Sequence, residues 1–168
     1  IVTEWLEGTP LSRIIADERA ALDSLLAAND IDPQVLAALL TTSSGALHLM
    51  LAIDDGSLDV ARSMLQASLR IDRDQRYLPS IAFNLCRFAR LYAIEGKAWT
   101  ATTFLSGADA LLEEIGARPS WLAKMNDETR TTIHTQLGET AFADAWEQGA
   151  ALTLDEVLAL ALEELPDA

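Results

Sequence analysis

Gly56 and Gly96 stand 40 residues apart (56 to 96), and each divides two stretches whose apolar residues return every three or four positions. Before Gly96 the apolar positions are Phe83, Leu85, Phe88 and Tyr92; after it a second stretch runs from about Ala98 to Ile115. Before Gly56 they are Val35, Leu36, Leu39, Leu40, Leu47 and Leu51, and after it Val60, Ala61, Met64, Leu65 and Leu69. An earlier glycine, Gly8, precedes a comparable stretch after "WLE". A fixed interval carrying a helix–turn–helix unit predicts an α-solenoid, because such a unit buries its apolar face only by stacking on a neighbour.

Local signals place the other boundaries. Thr9-Pro10 and Asp32-Pro33 each read as an N-cap followed by proline at the first helical position. The first of these helices carries Leu11, Ile14, Ile15, Leu22, Leu25 and Leu26. "TTSSG" at 41–45 has poor helix propensity and predicts a kink or break. Ser57 is placed to cap the next helix, "DRDQRY" at 72–77 reads as a polar connection, and Pro79 belongs in the first turn after it. Gly116 ends the helix from Ala98, leaving Glu113 and Glu114 to solvent. "GARPS" is a turn, and a weaker polar helix covers roughly 120–137. No segment alternates with period two. With half of the residues hydrophobic, only 6% aromatic, and Leu and Ala dominant, the chain reads as all-α, about eight helices in one domain.

The end of the chain, "LGETAFADAWEQGAALTLDEVLALALEEL", reads as helix, stop, helix. Phe142 and Trp146 share a face with Ala141 and Ala145, and Gly149 then sits where a left-handed C-terminal cap prefers glycine. Thr153 and Glu156 form a capping box, with Leu152 and Val157 at the positions of a hydrophobic staple. This hairpin is expected to cover the last apolar face of the array, with Trp146 buried as its terminal plug and worth roughly 3–5 kcal/mol on truncation to alanine.

The formal net charge of −14 opposes a phosphate backbone and argues against a nucleic-acid reader. The single cysteine, Cys86, precludes an internal disulfide framework and suits a reducing cytoplasm; it reads as a small buried or groove-lining residue. No apolar run approaches the ~20 residues of a membrane span, and no signal-peptide pattern opens the chain. The chain begins at Ile1 and reads as a segment of a longer protein. Gly96-Lys97 lacks the upstream glycine of a phosphate loop, and Asp54-Asp55-Gly56 lacks the ligand alternation of a calcium loop. His48 and His134 stand without a second ligand at metal spacing, and no nucleophile elbow is present. The expectation is no catalytic residue, no metal and no cofactor.

Counted from Gly96, Leu85, Phe88, Ala89 and Tyr92 occupy first-helix packing positions, and Ala101, Leu105 and Ala108 second-helix positions, of a unit that resembles the tetratricopeptide repeat. The unit at Gly56 keeps Ala61 and Leu65 but has His48 and Leu49 at the first-helix sites, and the interval exceeds the usual length of about 34. The closing stretch, through Leu137, Gly138, Glu139, Phe142, Ala145, Trp146, Gly149, Ala151, Leu152, Leu154, Glu156, Ala161 and Leu162, is similar to the C-terminal end of large ATP-binding LuxR-type and SARP-type bacterial transcriptional regulators. Similar tails occur on cyclase-like and kinase-like signalling proteins. The resemblance implies an α-solenoid of antiparallel helix pairs with right-handed superhelical stacking, residues 1–116 forming the repeats and 117–168 a helical capping region of the same domain. It also implies a noncatalytic sensor and interaction module, in the cytoplasm, that controls an upstream switch and DNA-binding domain; the alternative is the regulatory tail of a cyclase or kinase. Its partners would be a protein or peptide, other domains of the same chain, or a small-molecule effector, with no nucleic acid or membrane bound by this segment. In tetratricopeptide geometry Phe83, Cys86 and Arg90, and from the earlier unit Met50, would face the binding groove, Arg90 offering its guanidinium to a carboxylate or phosphate.

Overall fold

The structure is a computed structural model that describes residue 53, residues 56–117 and residues 120–163. The two helices expected between Thr9 and Leu51, together with His48 and Met50, lie outside the described residues. Within them the secondary structure is entirely helical: α1 (Leu58–Gln75), α2 (Leu78–Ile94), α3 (Ala98–Glu114), α4 (Ser120–Leu137), α5 (Glu139–Ala150) and α6 (Leu154–Ala161). None of these helices is long and apolar enough to cross a membrane.

α1 is amphipathic and buries Ala61, Met64, Leu65, Leu69 and Asp72, one row at three- and four-residue steps. Ser57 stands at its N-cap, although its hydroxyl makes no capping bond. The expected polar connection at 72–77 is a correction: the helix continues to Gln75 and turns at Arg76, which adopts φ 54°. The Arg76 N–H donates to Arg73 O at 3.0 Å and the Tyr77 N–H to Asp72 O at 2.9 Å, the paired bonds of a Schellman turn. The same two bonds close α2 around Gly96 (φ 75°) and α3 around Gly116.

Asp72, placed by the sequence in that polar connection, is 4% exposed. Its Oδ2 accepts from Ser80 Oγ at 2.7 Å and Asn84 Nδ2 at 2.8 Å, and Arg87 Nη1 donates to Asn84 Oδ1 at 3.1 Å. Burial raises the Asp72 carboxyl above its ordinary value of 3.8, and the bonds from Ser80, Ser68 and Asn84 only partly oppose this. The folded state thus holds that proton more tightly than the unfolded chain. Its contribution is fully present below pH 3.8 and is lost as pH rises through the elevated value. Asp72→Asn removes the titration, so its urea midpoint relative to wild type should increase between about pH 4 and pH 7. A difference that is flat with pH would show that Asp72 titrates normally.

α2 and α3 are buried on nearly every side. α2 contributes Ile81, Leu85, Phe88, Ala89 and Tyr92, and α3 contributes Ala101, Phe104, Leu105, Ala108 and Leu111. The seven positions expected to pack in the unit around Gly96 are thus all inside. Phe104 meets Phe88 at 5.5 Å and Tyr92 edge-on at 5.2 Å between ring centroids, both favoured arrangements. Over the outer part of Tyr92 lies the Arg62 guanidinium, 4.7 Å from the ring centroid. Arg62 also pairs with Glu95, as does Lys97 at 2.9 Å, which fastens α1 to the α2–α3 turn. Burial works against the Glu95 charge, yet the bonds from Lys97 and Arg62 outweigh it and hold its carboxyl below the usual range.

α3 is the centre of the packing: α2, α4, α5 and α6 all lie against it, while α2 also touches α4 and α4 touches α5. Two small residues permit the closest approaches. A Cβ added at Gly107 would lie 3.2 Å from Val157 Cγ2, and one at Gly149 would lie 2.3 Å from Ser106 Oγ and 2.8 Å from the Thr103 Cα. Gly149 therefore corrects the expected helix stop: it is buried inside α5, which runs on to Ala150, and its job is proximity to α3. The α6 start is as expected, with Glu156 N–H donating to Thr153 Oγ1 and Thr153 N–H to Glu156 Oε2. Of the staple pair, Val157 is buried and Leu152 is exposed.

Candidate functional site

α4 covers residues 120–137, as its sequence predicts. Leu122, Met125, Thr129, Ile133 and Leu137 form its inner row, with Leu122, Thr129 and Ile133 fully inside and Met125 and Leu137 packed against the core. The Thr129 hydroxyl is tolerated there because it donates to Met125 O at 2.9 Å. Beside this row runs a second one, Asn126, Arg130 and His134, at successive four-residue steps. That second row faces two clefts.

The first cleft, about 310 Å³, lies between α3 and α4 and is lined by Asp109, Leu112, Leu122, Asn126, Asp127 and Arg130 among others. The second, about 320 Å³, lies between α4 and α5 and includes Arg130, His134, Glu139, Phe142, Trp146 and Glu147. Arg130 borders both. Its guanidinium carbon sits 4.7 Å from the Trp146 ring centroid. Trp146 lies 5.5 Å from Phe142, and Phe142 stacks on the His134 imidazole at 3.8 Å. His134 Nδ1 is 3.6 Å from Glu139 Oε2, an ion pair when the imidazole is protonated. The result is a continuous stack of imidazole, phenyl, indole and guanidinium joining α4 to α5.

Two polar atoms of residues that line the first cleft are enclosed by protein without a hydrogen-bond partner: Arg130 Nε, a donor, and Asn126 Oδ1, an acceptor. Asn126 spends its other end on Cys86, Nδ2 lying 3.4 Å from Sγ. In an acidic chain, an arginine whose only described contact is an aromatic face stands out, since arginines there readily find carboxylates.

Of the four residues expected to line a groove, Phe83, Cys86 and Arg90 lie on α2. Cys86 is fully buried under α4, and burial pushes its thiol up to about 11. Of its two expected roles it fills the buried one, and it cannot meet a partner or act as a thiolate from that position. Phe83 and Arg90 are half-buried on α2, and each already engages other residues of the chain. Met50 falls outside the described residues. The structure brings Asn126 and Arg130, which sequence reading passed over, together with His134, Phe142 and Trp146. The available signal was the four-residue row 126–130–134, set against the Phe142–Trp146 pair.

Trp146 is also corrected. It is half-buried, with one face given to Arg130, where a fully enclosed plug was expected. Trp146→Ala should therefore destabilise the chain by about 1–2 kcal/mol, combining partial burial with one cation–π contact. Chemical denaturation measures this directly; a loss of 3–5 kcal/mol would restore the enclosed plug. Among the described residues no group of three His, Cys, Asp or Glu side chains is placed to hold a metal ion. Comparison with protein-family models, with curated proteins and with solved structures found no match to this chain.

Proposed function

We propose that this chain is a noncatalytic sensing and interaction module with a tetratricopeptide-like helical array, of the kind carried by large ATP-binding LuxR-type and SARP-type regulators in the cytoplasm. The array reading is supported by α2 lying on α4 and α3 on α5, as two stacked helix pairs require. The observation that carries the sensing reading is Arg130, a half-buried cation that borders both clefts and lies on the Trp146 ring in a chain of net charge −14. A guanidinium held in a cleft offers a planar fork of donors to a ligand that brings acceptors. Binding there would brace α4 and α5 against α3 and so stiffen the end of the array, a change that neighbouring domains could read.

Thermal unfolding of the chain against a collection of amino acids, sugars, nucleotides, organic acids and short peptides tests this. At least one class should raise the midpoint of wild type and not of Arg130→Gln, and the compound should be recovered chemically unchanged. Turnover of the compound would overturn the noncatalytic reading. A collection without any stabiliser, or one whose effect ignores Arg130→Gln, would remove this site as a sensor.

A further inference from the structure

We infer that the groove between α4 and α5 seats an amphipathic α-helix of a partner polypeptide. The helix carries an apolar row with acidic residues along one flank and basic residues along the other. This rests on the interaction reading above and adds the chemistry of the partner.

The fold supplies the precedent. α4 lies on both members of the preceding pair, α2 and α3, and turns its row of Leu122, Met125, Thr129, Ile133 and Leu137 inward. By the same step a further helix would lie on α4 and α5. α6 does not take that place. It packs on α3 with Val157 against Gly107, and Gln66 of α1 donates to its Ala161 carbonyl at 3.3 Å. Among the described residues the groove is walled by α4 and α5 alone. The outer face of a terminal unit is ordinarily polar. Here it shows Phe142 and Trp146, both half-buried, beside the exposed Ala143. The groove holds about 320 Å³ and runs beside α5, whose 12 residues span about 18 Å. Three turns of a helix match that length, and an apolar row laid on the two rings is the helix-in-groove mode of recognition.

The two walls differ in charge. α4 presents the half-buried Arg130, and α5 presents Glu139 and Glu147, both exposed. Arg130 lies 4.7 Å from the Trp146 ring centroid, which holds it in place before a partner arrives. A carboxylate on one flank of the incoming helix pairs with Arg130, and lysines on the other flank meet the two glutamates. A wholly acidic helix would face Glu139 and Glu147, and a wholly basic one would face Arg130; charge patterns of this kind select among partners. A second copy of the chain, itself at −14, would set those glutamates against their own counterparts.

The probe is a labelled peptide of about 18 residues, long enough to hold a helix. It has leucines at three- and four-residue steps, glutamates on one flank and lysines on the other. Fluorescence anisotropy follows its titration with the chain at physiological salt. It should bind, and forms with lysine on both flanks, glutamate on both, or the same residues scrambled should each bind about tenfold more weakly or worse. Ala143→Arg fills the groove from an exposed position, so it should weaken the mixed peptide by about tenfold and leave the urea midpoint unchanged. Arg130→Gln should weaken the mixed peptide and not the all-lysine form. Binding that ignores either variant overturns the inference, as does a single-sign or scrambled peptide that matches the mixed one. A dimer of the chain that Ala143→Arg disperses would make a second copy the occupant, and the inference falls. If the mixed peptide fails while a small compound stabilises the chain through Arg130, the helix assignment is wrong and the sensing reading stands. If neither binds, both fall.

Discussion

Gly149→Ala is expected to destabilise the chain by about 2–3 kcal/mol, although alanine is the better helix former by about 1 kcal/mol. The added methyl would sit 2.3 Å from Ser106 Oγ and 2.8 Å from the Thr103 Cα. The hydroxyl can turn away, but the Thr103 backbone can yield only if α5 as a whole withdraws from α3. The companion change Ser106→Ala should accordingly recover only a minor part of the loss. Gly107→Ala supplies the contrast: its methyl would meet only the Val157 side chain, at 3.2 Å, which can shift by a few tenths of an ångström. Urea midpoints for the three variants decide this. A Gly149→Ala chain as stable as wild type would mean that α3 and α5 are separated by more than the structure has them.

Phe104→Ala should produce the largest loss, about 3–5 kcal/mol. Phe104 is 0% exposed, on the most enclosed helix, and contacts the rings of both Phe88 and Tyr92. Phe104→Leu keeps most of the volume and should lose less than about 1.5 kcal/mol. Because Tyr92 also carries Arg62 on its outer part, the cavity variant should loosen α1 as well. Hydrogen exchange of the α1 amides would register that loosening, and an alanine variant within 1 kcal/mol of wild type would show that α3 is not enclosed.

What could be read from the residues depended on whether the deciding interaction was local. Pro79 opening α2, Gly96 and Gly116 closing α2 and α3, and the Thr153–Glu156 box opening α6 are all contained within a few residues, and the helices lie where those signals place them. The end of α1 was missed because its left-handed residue is Arg76 rather than glycine, and because Asp72 looks solvated until Ser80 and Asn84 fold back on it from α2. Gly149 follows a helical run and so has the look of a cap; only the proximity of Thr103, more than forty residues earlier, reveals its purpose. The same holds for the clefts. Asn126, Arg130 and His134 are visible as a row, but their unpartnered atoms and the stack on Trp146 arise from how α4 and α5 settle on α3.

The position of α3 has a consequence for how this region opens. At the end of a helical array the last helices can melt away singly when each meets only the one before it. Here one helix is shared by four others, and its amides can reach solvent only when that whole set lets go. Hydrogen exchange along Ala101–Leu112 should therefore report the global unfolding free energy, whereas the exposed turns of α4 exchange through smaller openings. A ligand that tightens any one of the outer helices should therefore raise the protection of the helix they all enclose.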